Sequence, residues 1–132
     1  MAEVMNLRII TPEKKFYDGE VSMVELTTTE GQIGIYPEHI PLTAVVAPGV
    51  LRIHEGSDVK EAALISGFIT ILPDVVTIMA ETVEWPDEID FNRAEEARVR
   101  AERRLSSQDG NLDTLRAEMA LKRALVRLEM KH

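Results

Sequence analysis

Two pairs of arginines stand out among the residues that could do chemistry. Arg93 and Arg100 are seven apart, nearly two helical turns, so in a helix both guanidiniums lie on one face. Arg123 and Arg127 are four apart and share a face in the same way. If the two segments are helices folded back on each other, the start of the first lies beside the end of the second, and the four cations converge. Like charges at close range repel unless an anion sits among them, and a triphosphate, with its paired oxygens, suits guanidinium forks. The competing arrangement is pairing within each helix, Glu96 with Arg93 or Arg100 and Glu118 or Glu129 with the second pair. Both arrangements stay open at this level.

Little else in the chain is equipped for catalysis. Cysteine is absent, which excludes disulfides, thiol nucleophiles and thiolate metal sites. No phosphate-binding loop, dinucleotide glycine pattern, zinc-spaced histidine pair or nucleophile elbow is present. The histidines are scattered at His39, His54 and His132. His39 sits in the turn-rich residues 36–42, where bonding its own turn or touching a partner explains a histidine better than catalysis. Glu95 and Glu96 read as solvated helix surface. A non-enzyme with no catalytic cofactor and no metal is expected.

The elements that must position these residues follow two periodicities. Leu7 and Ile9 alternate around Arg8, and Val21, Met23 and Glu25 interleave with Ser22, Val24 and Leu26 before a turn at residues 27–31. Short β-branched runs follow at 50–54, 59–65, 68–72 and 75–79, with breaks expected at Gly49, residues 55–58, Ser66-Gly67 and Pro73-Asp74. Many short strands with no crossover helix between them predict an all-β sandwich or flattened barrel. Beyond Trp85 and Pro86, glycine and proline nearly vanish. Asp90 can cap a helix over residues 91 to about 106, and Asp109-Gly110-Asn111 forms a turn whose asparagine can cap a second helix to about 130. Ala94, Ala97, Ala101 and Leu105 give the first helix a stripe of small side chains, and Leu112, Leu115, Met119 and Val126 give the second a bulkier one. The expected organisation is a β-sandwich domain over 1–86 and an antiparallel α-helical hairpin over 87–132. Two such helices share one thin seam and gain the rest of their stability by docking elsewhere.

The charge follows the same division. Residues 1–86 hold five Lys/Arg against thirteen Asp/Glu, and residues 87–132 hold ten of each, so no sustained positive field exists to bind nucleic acid. Apolar stretches at 41–51 and 62–72 are too short and too interrupted to span a bilayer. Residues 1–7 lack a basic-then-apolar signal pattern, so an intracellular location is expected.

The segment Gly31-Gln32-Ile33-Gly34-Ile35-Tyr36-Pro37-Glu38-His39-Ile40-Pro41-Leu42 closely resembles the glycine-rich, Pro-x-His-x-Pro-Leu segment of ATP synthase epsilon subunits. Ser66-Gly67-Phe68, Pro73-Asp74 and an arginine- and alanine-rich hairpin follow in that family's order, so the resemblance covers nearly the whole chain. Two departures fall at turns, Glu38 where many members have Gly and Ser66 in place of the first Gly of a pair. The resemblance implies a sandwich that grips the gamma subunit and the c-subunit ring, at the cytoplasmic face of a bacterial plasma membrane. It implies a hairpin that folds down on the sandwich or extends to the alpha and beta subunits and opposes ATP hydrolysis. Arg103, Arg104, Lys122, Arg123, Arg127 and Lys131 are then candidates to face acidic beta segments. Thr29, Glu30, Gly31, Gln32 and His39 are candidate contacts to the c ring or gamma.

Ile89-Asp90-Phe91-Asn92-Arg93-Ala94 is similar to the Ile/Leu-Asp-x-x-Arg-Ala motif of ATP-binding bacterial epsilon subunits. That resemblance implies ATP as a regulatory ligand, with Glu84, Ile89, Asp90 and Ala94 at the adenine and ribose end. Arg93, Arg100, Arg123 and Arg127 would take the phosphates. The alternatives are a coupling subunit that binds no nucleotide, a small nucleotide-dependent enzyme, and a helical nucleic-acid binder.

Overall fold

The computed structural model describes residues 3–107 and 113–131. Strand β1 (Met5–Ile10) buries Met5, Leu7 and Ile9 and exposes the residues between them, the period-two pattern of a half-buried strand. It is followed by β2 (Lys15–Val21), β3 (Met23–Thr28), β4 (Gly31–Ile35), β5 (Leu42–Val46), β6 (Gly49–Glu55), β7 (Asp58–Ile71) and β8 (Val75–Glu84). The hydrogen-bonded order is β2-β1-β8-β7-β5-β3-β4, with β6 paired to β3 and β7. All these pairings are antiparallel except β1 with β8.

β7 makes this set of strands a sandwich. Its first half pairs with β6 and its second half with β5, so one 14-residue strand serves both layers. The expected break at Ser66-Gly67 is instead a bulge inside that strand, where the register against β8 slips. Gly67 there has φ 143°, a conformation open in practice only to glycine, and a bulge bends a strand and disrupts its ladder only locally, so pairing resumes on the far side. Ser66 does not need positive φ, which is why serine is tolerated where the resembled family has a first glycine.

Other expectations shift in similar ways. β2 has no clear sequence signal, because Asp18 and Gly19 interrupt it. Ser22 separates β2 from β3, where one continuous strand was expected. The turn expected at 27–31 shrinks to Thr29 and Glu30, closed by the Thr28 hydroxyl, which accepts from Glu30 N at 3.1 Å and donates to Gly31 O at 2.9 Å. Between the layers lie Leu7, Ile9, Val24, Leu26, Leu51, Ile53, Leu64, Ile69 and Ile78, an aliphatic core as the scarcity of aromatics implied.

Glu38 adopts φ 65°, and its N–H donates to Pro73 O at 2.7 Å, tying the loop after β4 to the β7–β8 turn. Left-handed backbone costs an L-residue roughly 1–2 kcal/mol, and a β-branched side chain suffers most. Glu38→Val will therefore lower stability by about 1–2 kcal/mol in urea unfolding, and Glu38→Gly will stay within about 0.5 kcal/mol of the parent.

At the sandwich edge, the Tyr17 hydroxyl donates to the Glu55 carboxylate, and Lys60 reaches the same carboxylate at 3.2 Å. Burial first, and then the bond to Glu55 and its charge, hold the Tyr17 phenol well above its ordinary value of 10.0. A raised folded-state pKa gives stability that is intact below the unfolded value and lost above it, as the unfolded phenol ionises. Stability of the parent will thus fall more steeply above about pH 10 than that of Tyr17→Phe in parallel urea titrations.

A 3₁₀ turn at Pro86–Glu88 joins sandwich to hairpin. Trp85 stacks on Phe16 with ring centroids 4.4 Å apart. Glu88 accepts the Trp85 N–H at 2.9 Å and meets Lys14 at 3.3 Å; that backbone bond first, then Lys14, keeps its carboxyl below the usual range. Helix α1 (Phe91–Ser106) starts where expected, with the Asp90 carboxylate accepting Arg93 N at 3.0 Å. Helix α2 (Thr114–Glu129) is capped by Asp113, which accepts Arg116 N at 3.0 Å, and not by Asn111. The turn expected at Asp109-Gly110-Asn111, with Leu112, lies outside the described residues.

The hairpin seam is alanine on both sides. Ala94 and Ala101 of α1 and Ala117 and Ala124 of α2 are buried, each pair seven apart, whereas Leu115 is 68% exposed. The bulky stripe expected on α2 is rotated out of the seam, because two small-residue faces let the backbones approach closely. Val126 and Met130, with Ile89, pack instead on Val50, Ala63 and Ile65 of β6 and β7, which docks the hairpin on the sandwich.

Candidate functional site

Docking α2 beside the bulge of β7 encloses a groove of about 940 Å³. Its sandwich wall includes Thr28, Gly31, Ser66 and Thr82, and its helical wall carries Lys122, Arg123 and Arg127. Arg127 donates through Nε to Glu84 Oε1 at 2.6 Å, a contact between the last residue of β8 and the last turn of α2. Lys122 and Arg123 are in no ion pair among the described residues. The cations face hydroxyls and the Glu81 carboxylate, and with Arg127 already paired to Glu84, Lys122 and Arg123 are the two charges left to hold an anion.

The other sequence candidates fall around this groove unevenly. Arg93 and Arg100 are exposed on α1 and do not line it, and neither is ion-paired among the described residues. Glu96, the acid expected to neutralise them, is in no ion pair among the described residues, and the neighbouring Glu95 and Glu102 both go to Arg98, with Arg98 Nη1 to Glu102 Oε1 at 2.7 Å. The Glu95 carboxyl is held below its usual range, foremost by that bond to Arg98 and with a further pull from Lys131, so the end of α2 lies beside the start of α1. Ile89 and Ala94 are buried, Ile89 in the docking cluster, and Asp90 is occupied in capping α1.

Thr29, Glu30, Gly31 and Gln32 cluster at the β3–β4 turn, but His39 is not with them. Gly31 and Gln32 open β4, whereas His39 lies in the loop that follows the far end of that strand. His39 Nδ1 lies 2.7 Å from Ile40 O, a bond within its own loop.

A further surface escaped the sequence reading. Val45 of β5 pairs with Phe68 of β7, Phe68 with Met79 of β8, and Met79 with Ile10 of β1. The four form one apolar row across four strands, exposed by 54%, 53%, 54% and 38%. Such continuous exposed apolar surface marks an interaction site. The signal was present as apolar residues at outward positions, legible only once the bulge had fixed the phase of β7. Among the described residues, no group of three or more His, Asp or Glu side chains could hold a metal, and no helix is long and apolar enough to cross a membrane.

A sandwich with one apolar row uncovered and a marginal helical hairpin docked over a basic groove defines a partner-binding, regulatory class of protein. Residues 4–86 match the family described as ATP synthase, Delta/Epsilon chain, beta-sandwich domain, and residues 87–131 match its long alpha-helix domain. The ATP synthase epsilon chain of Halalkalibacterium halodurans is 44% identical over 127 residues, covering 96% of each chain. That of Caldanaerobacter subterraneus subsp. tengcongensis is 44% identical over 131 residues, covering 98% of this chain and 95% of the relative. In fold, the chain is similar to one in the cryo-EM structure of the Euglena gracilis mitochondrial ATP synthase, OSCP/F1/c-ring, with TM-score 0.81, 23% identity and coverage of 96% and 79%. The chain belongs to the ATP synthase epsilon-chain family, a non-catalytic regulatory subunit of the central stalk.

Proposed function

We propose that the sandwich is held in the rotor, against the gamma subunit, by the row Val45, Phe68, Met79 and Ile10, and that the docked hairpin is an ATP sensor. An apolar row suits a partner that stays bound through every turn of the motor, and the β3–β4 turn, which adjoins the row where Thr29 N donates to Val45 O at 3.0 Å, faces the c ring. The subunit works peripherally, at the cytoplasmic face of the membrane.

The observation that carries the nucleotide reading is the groove wall of Lys122, Arg123 and Arg127, in which Arg123 has no carboxylate partner among the described residues. Arg123 and Arg127 take phosphates from the groove side, and the exposed Arg93 and Arg100 swing in from α1. Ile89, Asp90 and Ala94 border the adenine end. ATP binds only the docked hairpin, so at one hundred times its dissociation constant it stabilises that state by about 2.7 kcal/mol. When ATP falls, the hairpin leaves the sandwich, extends toward the alpha and beta subunits and opposes hydrolysis.

The test is a calorimetric titration of the full chain with ATP, ADP and GTP. The reading expects saturable binding that prefers ATP and weakens at least tenfold in Arg123→Ala. Equal ATP affinity in parent and variant overturns the assignment of the phosphates to α2. No binding at millimolar ATP leaves the second reading, a coupling subunit without nucleotide, which the Glu84–Arg127 ion pair favours because it already neutralises one of the four arginines.

A further inference from the structure

The apolar row of Val45, Phe68, Met79 and Ile10 has a charge of opposite sign on each of its two sides. Strands β1 and β8 run parallel, with Arg8 beside Thr77 and Ile10 beside Met79. Arg8 precedes Ile10 by two residues and Glu81 follows Met79 by two, so the guanidinium and the carboxylate share the row's face and flank it on opposite sides. Both are exposed, and neither is in an ion pair among the described residues. The charges nearest them are already matched. Asp18, across from Arg8 on β2, goes to Lys15 at 3.2 Å, and Lys14 goes to Glu88 at 3.3 Å. Glu81 also borders the basic groove, yet it pairs with none of the cations there.

We infer that these two charges set the direction in which the gamma subunit lies on the row: it brings an acidic side chain to Arg8 and a lysine or arginine to Glu81. The inference rests on the gamma reading above and adds the chemistry that the facing surface carries. Apolar contact is non-directional, so the row alone accepts an apolar strip laid either way round. Turned end for end, the same partner would set acid against Glu81 and base against Arg8, and that juxtaposition of like charges rejects the reversed arrangement. The Glu81 side is also shaped for a long basic side chain. A hollow of about 240 Å³ lies there, lined by Ile10, Pro12, Phe68 and Met79 together with Glu81. Its apolar walls suit the methylene stem and its carboxylate the charged head. Being at the rim, the two charges act on encounter and register, while the row supplies the lasting contact.

Retention on a gamma-containing complex that lacks its epsilon subunit is measured across a concentration series, at low and at high salt. The chains compared are the parent, Arg8→Glu, Glu81→Lys, Asp58→Lys, Phe68→Glu and Glu81→Lys in an Arg123→Ala background, with Arg123→Ala alone as reference for the last. Thermal unfolding of each free chain is followed alongside. Arg8→Glu and Glu81→Lys are each expected to weaken retention about tenfold at low salt and less at high salt, because rim charges are screened, while their free chains melt with the parent. Asp58→Lys makes the same change in net charge at the far end of β7 and should match the parent. Parent-like retention of either reversal would overturn the inference. So would a loss that salt leaves unchanged, or one that Asp58→Lys reproduces. A Glu81→Lys loss that vanishes in the Arg123→Ala background would assign Glu81 to the groove and overturn it as well. Phe68→Glu separates the two levels. Parent-like retention of that variant removes gamma from the row and the reading with it, whereas a strong loss there beside unchanged charge variants removes the inference alone.

Discussion

Gly67→Ala will cost the chain about 4 kcal/mol of folding stability, a large share of the ~5–15 kcal/mol that holds a domain of this size together. Gly67 has φ 143°, a region essentially closed to residues with a Cβ, which accounts for about 1–3 kcal/mol. The added methyl would stand 2.2 Å from Met79 O and 2.9 Å from Ala80 Cα, both backbone atoms of the paired strand β8 that cannot rotate aside. Overpacking of that kind costs a further ~1–3 kcal/mol. The damage falls at the bulge where β7 changes partners, so the two layers lose their common strand geometry together. Urea unfolding followed by far-UV circular dichroism gives the number. Ser66→Gly, one residue away but without positive φ, is the control and should lie within about 1 kcal/mol of the parent. A Gly67→Ala chain as stable as the parent would show that the bulge relaxes freely.

Phe68→Glu will weaken assembly into the stalk at least about thirtyfold, equivalent to about 2 kcal/mol, while the isolated chain keeps its stability. Phe68 is 53% exposed at the centre of the row formed with Val45, Met79 and Ile10, so the isolated chain loses little packing when it is replaced. In the complex a glutamate there would be buried against apolar surface without a partner, which is far more costly than losing the ring. The measurement is retention of the chain on a gamma-containing complex that lacks its epsilon subunit, across a concentration series, with thermal unfolding of the free chain alongside. Equal retention of the variant and the parent would move the gamma contact to another face. Thr70→Glu, exposed on the same strand beyond the row, separates the effect of the row from that of added charge.

How much of this was legible beforehand depends on the range over which each feature is decided. Strand β1 and helix α1, with its Asp90 cap, could be read directly, because alternation, cap and helix start are set by residues within four positions of one another. The division between strands and helices was legible too, since composition changes sharply after Pro86. The bulge in β7 was not. Ser66-Gly67 carries the local signature of a break, and only pairing with β8 on one side and with β5 and β6 on the other makes continuity the better solution. The α2 cap moved to Asp113, and the expected seam residue Leu115 turned outward, because which stripe of α2 faces α1 is decided by how closely two alanine faces can approach.

The candidate site divides along the same line. Sequence alone determined that the chain has a strand-rich first part, an alanine-lined helical hairpin, and arginines at one-turn and two-turn spacings, because each is a property of neighbours along the chain. Tertiary structure decided which of those arginines face a groove, that Glu84 is the carboxylate meeting Arg127 from 43 residues away, and that Val45, Phe68, Met79 and Ile10 make one surface. Those contacts join residues far apart in the chain, and their geometry is set by strand register and helix docking, which depend on the packing of the whole core.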